Sequence, residues 1–471
     1  MPGARDPAAM RSLLPVDRLG PHFTGDLVLP RSPDYDRARR VWNGDIDRRP
    51  ALIARCNGVG DVAAALRFAR DEGLRIAVRG GGHNVAGLST CDDGIVIDLG
   101  PMKGVRVDPV ARTAMAGPGV LWREFDHETQ RFGLATPGGA VSDTGIGGFT
   151  LGGGLGHLSR RFGLTSDSLL AADLVTADGR MVRVTDAEHP DLMWGLRGGG
   201  GNFGIVTSFT YRLHELAGPV LAGPMIYPAE HAAELLRFVR ERMPLAPPAL
   251  SVLVALATAP PAPFMPSDLH GRPIVMVNIA WCAAPDEGER VLAPLRAFRT
   301  PAVDLVAPVP YTALQQMTDP MATPGRHYYL KAPFLRELDD VAIDDLLHAH
   351  RTVTSPLSAI GLNYMRGAVN ALPADHSAFA HREAAWMCDI IAGWPAPSDE
   401  AGPHVDWVRE LWRALDRVST GSYVNHLGDD EIDAQRGYTS AQRTRLAALK
   451  ARWDPENVFR LNPNVPPAEA A

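Results

Sequence analysis

Residues 79–84 read Arg-Gly-Gly-Gly-His-Asn and follow directly on the apolar run Leu74-Arg75-Ile76-Ala77-Val78. Three adjacent glycines end any regular element, because they carry no side chain to pack. They also let the backbone take positive φ and bring its N–H groups against a ligand such as a pyrophosphate. A Rossmann turn would open a helix at this point and carry an acidic residue about 20 positions on. Here the chain continues as Val85-Ala86-Gly87-Leu88-Ser89-Thr90-Cys91-Asp92-Asp93-Gly94, glycine-punctuated and not amphipathic. It then enters a second apolar run, Ile95-Val96-Ile97-Asp98-Leu99. The pattern is strand, glycine loop, further loop, strand. It is not a Rossmann turn.

Two more glycine clusters follow, within residues 136–157 (Thr-Pro-Gly-Gly-Ala-Val-Ser-Asp-Thr-Gly-Ile-Gly-Gly-Phe-Thr-Leu-Gly-Gly-Gly-Leu-Gly-His) and 197–207 (Arg-Gly-Gly-Gly-Gly-Asn-Phe-Gly-Ile-Val-Thr). One such cluster alone is an ordinary turn, since glycine is the usual turn residue. Three in the first half, each beside a strand-like run, point to one long ligand threaded among several backbone loops.

The three motifs together resemble the flavin-binding half of the berberine bridge enzyme family, FAD-linked oxidases of the vanillyl-alcohol oxidase (PCMH-type) fold, and its bacterial members above all. The chain's end agrees: Tyr423-Val424-Asn425-His426 and the run from Lys450 to Asn462 are similar to that family's C-terminal signature. The resemblance spans about 42–465, with a weaker middle. It implies an α+β fold with a two-part FAD-binding domain, plus a substrate domain built on an antiparallel sheet covered by helices. It also implies that His83 is the covalent attachment point, an uncharged imidazole nitrogen bonded to the 8α carbon of FAD. A histidine capping a turn is the alternative. Doubly linked members add a cysteine; here that position is Val141, so no cysteinyl link is expected.

By the same resemblance the cofactor contacts are Arg79, Gly80, Gly81, Gly82, His83, Asn84, Gly87, Leu88, Gly138, Ser142, Thr144, Gly145, Gly147, Gly148, Gly152, Gly156, His157, Gly204, Ile205, Val206, Asn425 and Asn462. Asn462, between Leu461 and Pro463, equally suits a turn, and His157 a helix-start cap. Thr144 falls where the family has its gatekeeper beside the oxygen-reactive face of the flavin. Catalytic candidates are His426, aligned with a tyrosine that acts as base in some members, together with Tyr423, Thr144 and Asp389. Asp389 is the only charge in the strand-like run Ala385-Trp386-Met387-Cys388-Asp389-Ile390-Ile391, and a buried carboxylate is either paired or functional. Arg382 is the expected structural partner.

The 471 residues, 45% apolar and 21% charged, suit a soluble enzyme of two or three domains. A net charge of −7 offers no basic footprint for nucleic acid. The first 20 residues lack an apolar stretch suited to a signal peptide or membrane span. Cys56, Cys91, Cys282 and Cys388 have no metal-type spacing, which predicts free thiols, no metal site and a cytoplasmic protein. Richness in Ala, Arg, Gly and Pro hints at a bacterial genome. The expected organisation is a flexible leader over 1–20, with loose chain to about Pro30. An FAD domain over 21–213, a substrate domain over 214–415 and a returning segment over 416–471 follow it. Within these, Asp61 should cap a helix stopped by Gly73, and 119–133 should form another with Val120, Leu121, Phe125 and Phe132 available to pack. Asp178-Gly179 should turn a hairpin. Strands are expected over 251–258 and 274–282, and covering helices over 230–243 and 340–353.

The implied activity is oxidation of a small secondary metabolite, as an alcohol, amine or activated C–H. Dioxygen would take the electrons and leave as hydrogen peroxide. The partners are that substrate and dioxygen, without nucleic acid or membrane, on a monomer or homodimer. A flavin-dependent oxygenase and a non-catalytic flavin-binding or resistance protein are the two alternatives.

Overall fold

The apolar runs on either side of the first glycine loop are neighbouring strands. In the computed structural model, which describes residues 14–20, 23–395, 400–428 and 436–469, Ile76–Arg79 lies parallel to Ile95–Asp98. Leu52–Arg55 lies parallel to Ile95–Asp98 on its other side, and Asp26–Val28 closes this four-stranded sheet antiparallel. The helix Val59–Asp71 covers it, burying Val62, Leu66, Phe68 and Ala69 against Leu52, Ile95 and Ile97. Fully burying a Val, Leu or Phe side chain contributes about 1.5–3 kcal/mol. The helix starts behind Gly58, so Asp61 is not its cap. Asp61 instead accepts hydrogen bonds from the backbone N–H of Thr24 (2.8 Å) and of Asn57 (2.9 Å). Gly73 follows the helix with φ +65°.

A second, antiparallel sheet runs in the order Val105–Asp108, Thr113–Ala116, Ile205–Arg212, Leu169–Val175 and Met181–Thr185. The Asp178-Gly179 turn joins its last pair as expected. The expected helix over 119–133 is shorter, Trp122–Gln130, and Phe132 beyond it is 51% exposed. A helix at Pro190–Leu196, started by proline at its first position, was not read from the sequence.

The ten-stranded sheet of the second half contains the expected strands, Leu250–Thr258 and Pro273–Trp281, paired antiparallel. Its period-two alternation separates two environments. Val252, Val254, Leu256, Val275, Val277, Leu362, Cys388 and Ile390 pack beneath the helices Ala232–Arg242, Asp340–Arg351 and Ala401–Ala414. The residues between them face the first half of the chain. At the boundaries, His214–Glu215 still pairs with Leu134–Ala135 of the first half, and Ser419–Ser422 belongs to the large sheet. Part of the leader, 1–13, lies outside the described residues. Its other end is ordered, with a 3-10 turn at Val16–Leu19 that buries Leu19.

The C-terminal helix Ser440–Trp453 packs on Pro190–Leu196, and a buried ion pair anchors the chain after it. Lys450 Nζ donates to Asp454 Oδ2 (2.6 Å) and to the carbonyls of Asn202 (2.7 Å) and Phe459 (2.8 Å), with both side chains 0% exposed.

Asp126, buried where the helix Trp122–Gln130 meets Tyr311–Leu314, accepts a hydrogen bond from Gln315 Nε2 (3.0 Å), its one side-chain hydrogen-bond partner among the described residues. Burial pushes its pKa up to about 7, the Gln315 hydrogen bond only partly opposing this. The folded state therefore binds this proton more tightly than the unfolded chain, and the associated stability falls as pH rises from about 4 towards about 7. Asp126→Asn should raise the chemical-denaturation midpoint relative to wild type at about pH 8, by a few kcal/mol of stability, and change it little at about pH 4.

Candidate active site

A cavity of about 1,100 Å³ lies between the two halves, with glycine loops as its floor and the large sheet as its roof. The first two loops meet backbone to backbone: a Cβ on Gly81 would stand 2.5 Å from the Gly145 nitrogen, and a Cβ on Gly145 as close to that of Gly81. At Gly148 and Gly201 the situation is the reverse. Both line the cavity, and a Cβ on either would meet nothing within 4 Å. The floor is thus kept clear of side chains where a long ligand would lie.

His83 is held on two sides. Its Nε2 is 2.9 Å from Asp143 Oδ1, and its ring stacks on Trp42 at 4.4 Å, which in turn stacks on Tyr328 at 4.2 Å. Burial of Asp143 opposes its charge, but the hydrogen bond and charge of His83, with Arg123, hold its pKa below the usual carboxylate value. Asp143, Trp42 and Tyr328 escaped the sequence reading. Asp143 stands inside the second glycine motif, and its charge among small residues was the available signal.

The roof brings two rival candidates together. Asp389 Oδ1 lies 3.0 Å from His426 Nδ1, and its Oδ2 accepts from Asn363 Nδ2 at 3.3 Å. The expected Arg382–Asp389 pair is absent, because Arg382 instead binds Asp167 (2.5 Å) deep in the protein. Tyr423 is buried, and its hydroxyl accepts from the Gly154 N–H (3.1 Å) and from Asn425 Nδ2 (2.9 Å). Burial raises its pKa well above the ordinary phenol value. Its two accepted hydrogen bonds brace the loop, and the ring lines the cavity.

Of the expected cofactor contacts, Gly80, Gly81, Gly82, His83, Asn84, Leu88, Thr144, Gly145, Gly147, Gly148, Gly156, His157, Gly204, Ile205, Val206, Asn425 and Asn462 line the cavity. Five do not, and each has another task. Arg79 pairs with Asp98 (2.8 Å), and Ser142 binds Asp319 through its N–H (2.8 Å) and hydroxyl (2.6 Å). Gly87, Gly138 and Gly152 admit close approach of Ile46, Trp122 and Asn425 respectively. Val141 lines the cavity and none of the four cysteines does; all four thiols are free and buried. Among the described residues, no group of His, Cys, Asp and Glu is arranged to hold a metal, and no helix is long and apolar enough to cross a membrane.

The donor set fits FAD. His157 Nε2, Ser89 Oγ and Asn462 Oδ1 are buried without a protein partner in residues that line the cavity. Burial pushes the His157 pKa down to about 4.

Comparison with known proteins agrees with this geometry. Residues 50–185 match the family described as FAD binding domain, and 422–466 that described as berberine and berberine like. The chain is 32% identical to an FAD-linked oxidoreductase of Dictyostelium discoideum, over 93% of this chain and 94% of that protein. It is also 32% identical to (R)-6-hydroxynicotine oxidase of Paenarthrobacter nicotinovorans, over 94% and 97%. The crystal structure of 6-hydroxy-D-nicotine oxidase from Arthrobacter nicotinovorans superposes with a TM-score of 0.85 at 29% identity, covering 96% of this chain and 99% of that one.

Gly148→Leu should fold, since nothing stands in its way, but should fill the cofactor's place. The expected result is a flavin-to-protein ratio well below wild type at an unchanged circular dichroism spectrum. Full flavin content would contradict the assignment of this floor.

Proposed function

From the premise that this chain belongs to the berberine-bridge-type FAD-linked oxidoreductases, we propose that it is an oxidase, with FAD bound through His83 and with His426 as the base. The observation that carries this reading is the His426–Asp389 pair, placed on the cavity wall opposite the glycine floor. When bound, FAD supplies the acceptor for a hydride from the substrate and passes its two electrons to dioxygen, giving hydrogen peroxide.

The protein's own part is proton handling and positioning. Asp389, oriented by Asn363, accepts a hydrogen bond from Nδ1–H of His426 and so selects the tautomer with a lone pair on Nε2. An imidazole held in that way accepts the proton of a substrate O–H as the hydride leaves. Asp389 is a positioning residue in this scheme. Tyr423 supports the site by fixing Asn425 and by packing edge-on against His426 at 5.0 Å.

The same logic applies to His83. Asp143, hydrogen-bonded to Nε2, would leave Nδ1 as the nitrogen turned to the FAD, while the Trp42 stack fixes the plane of the ring. Val141 has no sulfur to make a second bond, so the attachment is single. Gly80–Gly82 and Gly145–Gly148 would hold the rest of the cofactor through backbone, and Thr144 faces the cavity from the same turn as Val141.

His83→Ala should still carry FAD, held by the loops, but release all of it into the supernatant on acid precipitation, whereas the wild-type pellet stays yellow. Acid-stable flavin in the variant would contradict the assignment. For the base, His426→Phe should slow substrate-dependent loss of flavin absorbance by about a hundred- to ten-thousandfold. The return of absorbance on mixing with oxygen should change little. Stopped-flow traces of the two halves separate them, and unchanged bleaching would remove His426 from the mechanism.

A further inference from the structure

The pairing register of the large sheet fixes what a substrate meets on the roof. One cross-strand row facing the cavity runs Pro224, Asn278, Leu253, Asn363, Met387. The next runs Ile226, Met276, Ala255, Gly361, Asp389. Beyond it Ala257 and Ala359 also face the cavity, Ala359 paired with Ile391. Four small residues, Ala255, Gly361, Ala257 and Ala359, therefore sit together on two adjacent strands. No side chain of this patch is larger than a methyl group, and Gly361 is paired directly with Asp389.

The border of that patch is apolar and deformable, with Met276, Leu253 and Ile391 around it. Methionine makes favourable contacts with ring edges and adapts to irregular shapes. Two of the polar side chains on the roof are already engaged: Asn278 Nδ2 donates to the Leu253 carbonyl, and Asn363 Nδ2 to Asp389. A polyol lying on the patch of Ala255, Gly361, Ala257 and Ala359 would lose hydration there with no side chain of the patch to bond, at a cost for each buried hydroxyl. Separately, four of the large apolar side chains left exposed, Phe264, Leu305, Met317 and Met321 (38–49% exposed), line this same cavity. Clustered apolar exposure at a cavity marks a site for an apolar ligand.

We infer that the substrate is a planar, largely apolar ring compound carrying one hydroxyl-bearing group, seated flat on the Ala255–Gly361 patch with its hydroxyl at His426. The oxidase reading supplies only the identity of the reacting end.

The test titrates the wild-type holoenzyme anaerobically with 2-naphthylmethanol and with cellobiose, following the flavin absorbance spectrum. The aromatic alcohol should perturb the spectrum saturably, and cellobiose should leave it unchanged. Ala255→Leu puts a bulky side chain on the patch and should weaken the response to 2-naphthylmethanol at least about tenfold. Gly361→Leu is the second variant; its Cβ would meet the flexible tip of Leu253 at 3.3 Å and the Asp389 Cβ at 3.6 Å, an ordinary contact distance. Both are scored only at wild-type flavin content. A response to cellobiose, no response to 2-naphthylmethanol, or wild-type affinity in a flavin-replete variant would each overturn the inference. The oxidase reading is judged apart from these titrations: dithionite-bleached holoenzyme, freed of dithionite, must regain its absorbance in oxygen with release of peroxide.

Discussion

The two glycine loops at 80–82 and 145–148 touch through backbone alone, and the active-site geometry depends on that contact. A Cβ at Gly81 or Gly145 would push the loops apart, because the neighbouring atoms are main chain and cannot rotate away. With the loops together, Leu121 pairs with Gly145, and the short helix Ile146–Leu151 starts at the cavity wall. Backbone N–H groups replace side chains along the floor, which is the surface a polyphosphate-bearing cofactor requires. Glycines in these motifs therefore have two different tasks. Gly81, Gly138, Gly145 and Gly152 let protein meet protein, whereas Gly148 and Gly201 leave room for something else.

The second organising feature is the column Tyr328–Trp42–His83. Tyr328 comes from the large sheet, Trp42 from the segment before the first domain's core, and His83 from the first glycine loop. Asn43, next to Trp42 and buried, joins the same three regions: its Nδ2 donates to the carbonyls of Val85 (2.8 Å) and Tyr328 (2.9 Å), and its Oδ1 accepts from the Tyr328 N–H (3.0 Å). His83 is thereby registered against the roof as well as the floor. The C-terminal segment completes the enclosure. Lys450 and Asp454 are costly to bury as isolated charges, and they are tolerable because each has its remaining hydrogen-bonding capacity taken up by the third glycine loop and the chain at 458–459. That arrangement seats Leu461, Asn462 and Pro463 against the cavity.

Much of this was legible in residue order because the signals are local. Consecutive glycines leave a segment free of side chains, and the alternating or continuous apolar runs over 251–258 and 274–282 suit strands of a sheet. The glycine loop before His83 follows from the first kind of signal and the strands of the roof from the second, whereas the roles of His83, Asn84, Gly145 and Gly148 are implied by the family resemblance. The misreadings are of another sort. Ser142 stands in the middle of a cofactor-type motif, yet its hydroxyl binds Asp319. Asp61 has the chemistry of a helix cap, yet it lies inside the first turn and ties down Thr24. Asp143 carries a charge in an otherwise small-residue run and was passed over, although it contacts His83.

By itself the sequence determined which positions must be free of side chains and which faces must be buried, since torsional freedom and hydrophobic periodicity act over a few residues. The tertiary structure alone decided the partners. Asp389 meets His426, 37 positions away, and not Arg382, seven positions away. The reason is that Asp389 points to the cavity face of its strand, whereas Arg382 is drawn into the interior by Asp167, 215 positions distant. Distance along the chain carries no information about such pairings; they are fixed by strand register and by the cost of leaving a buried charge without a counter-charge.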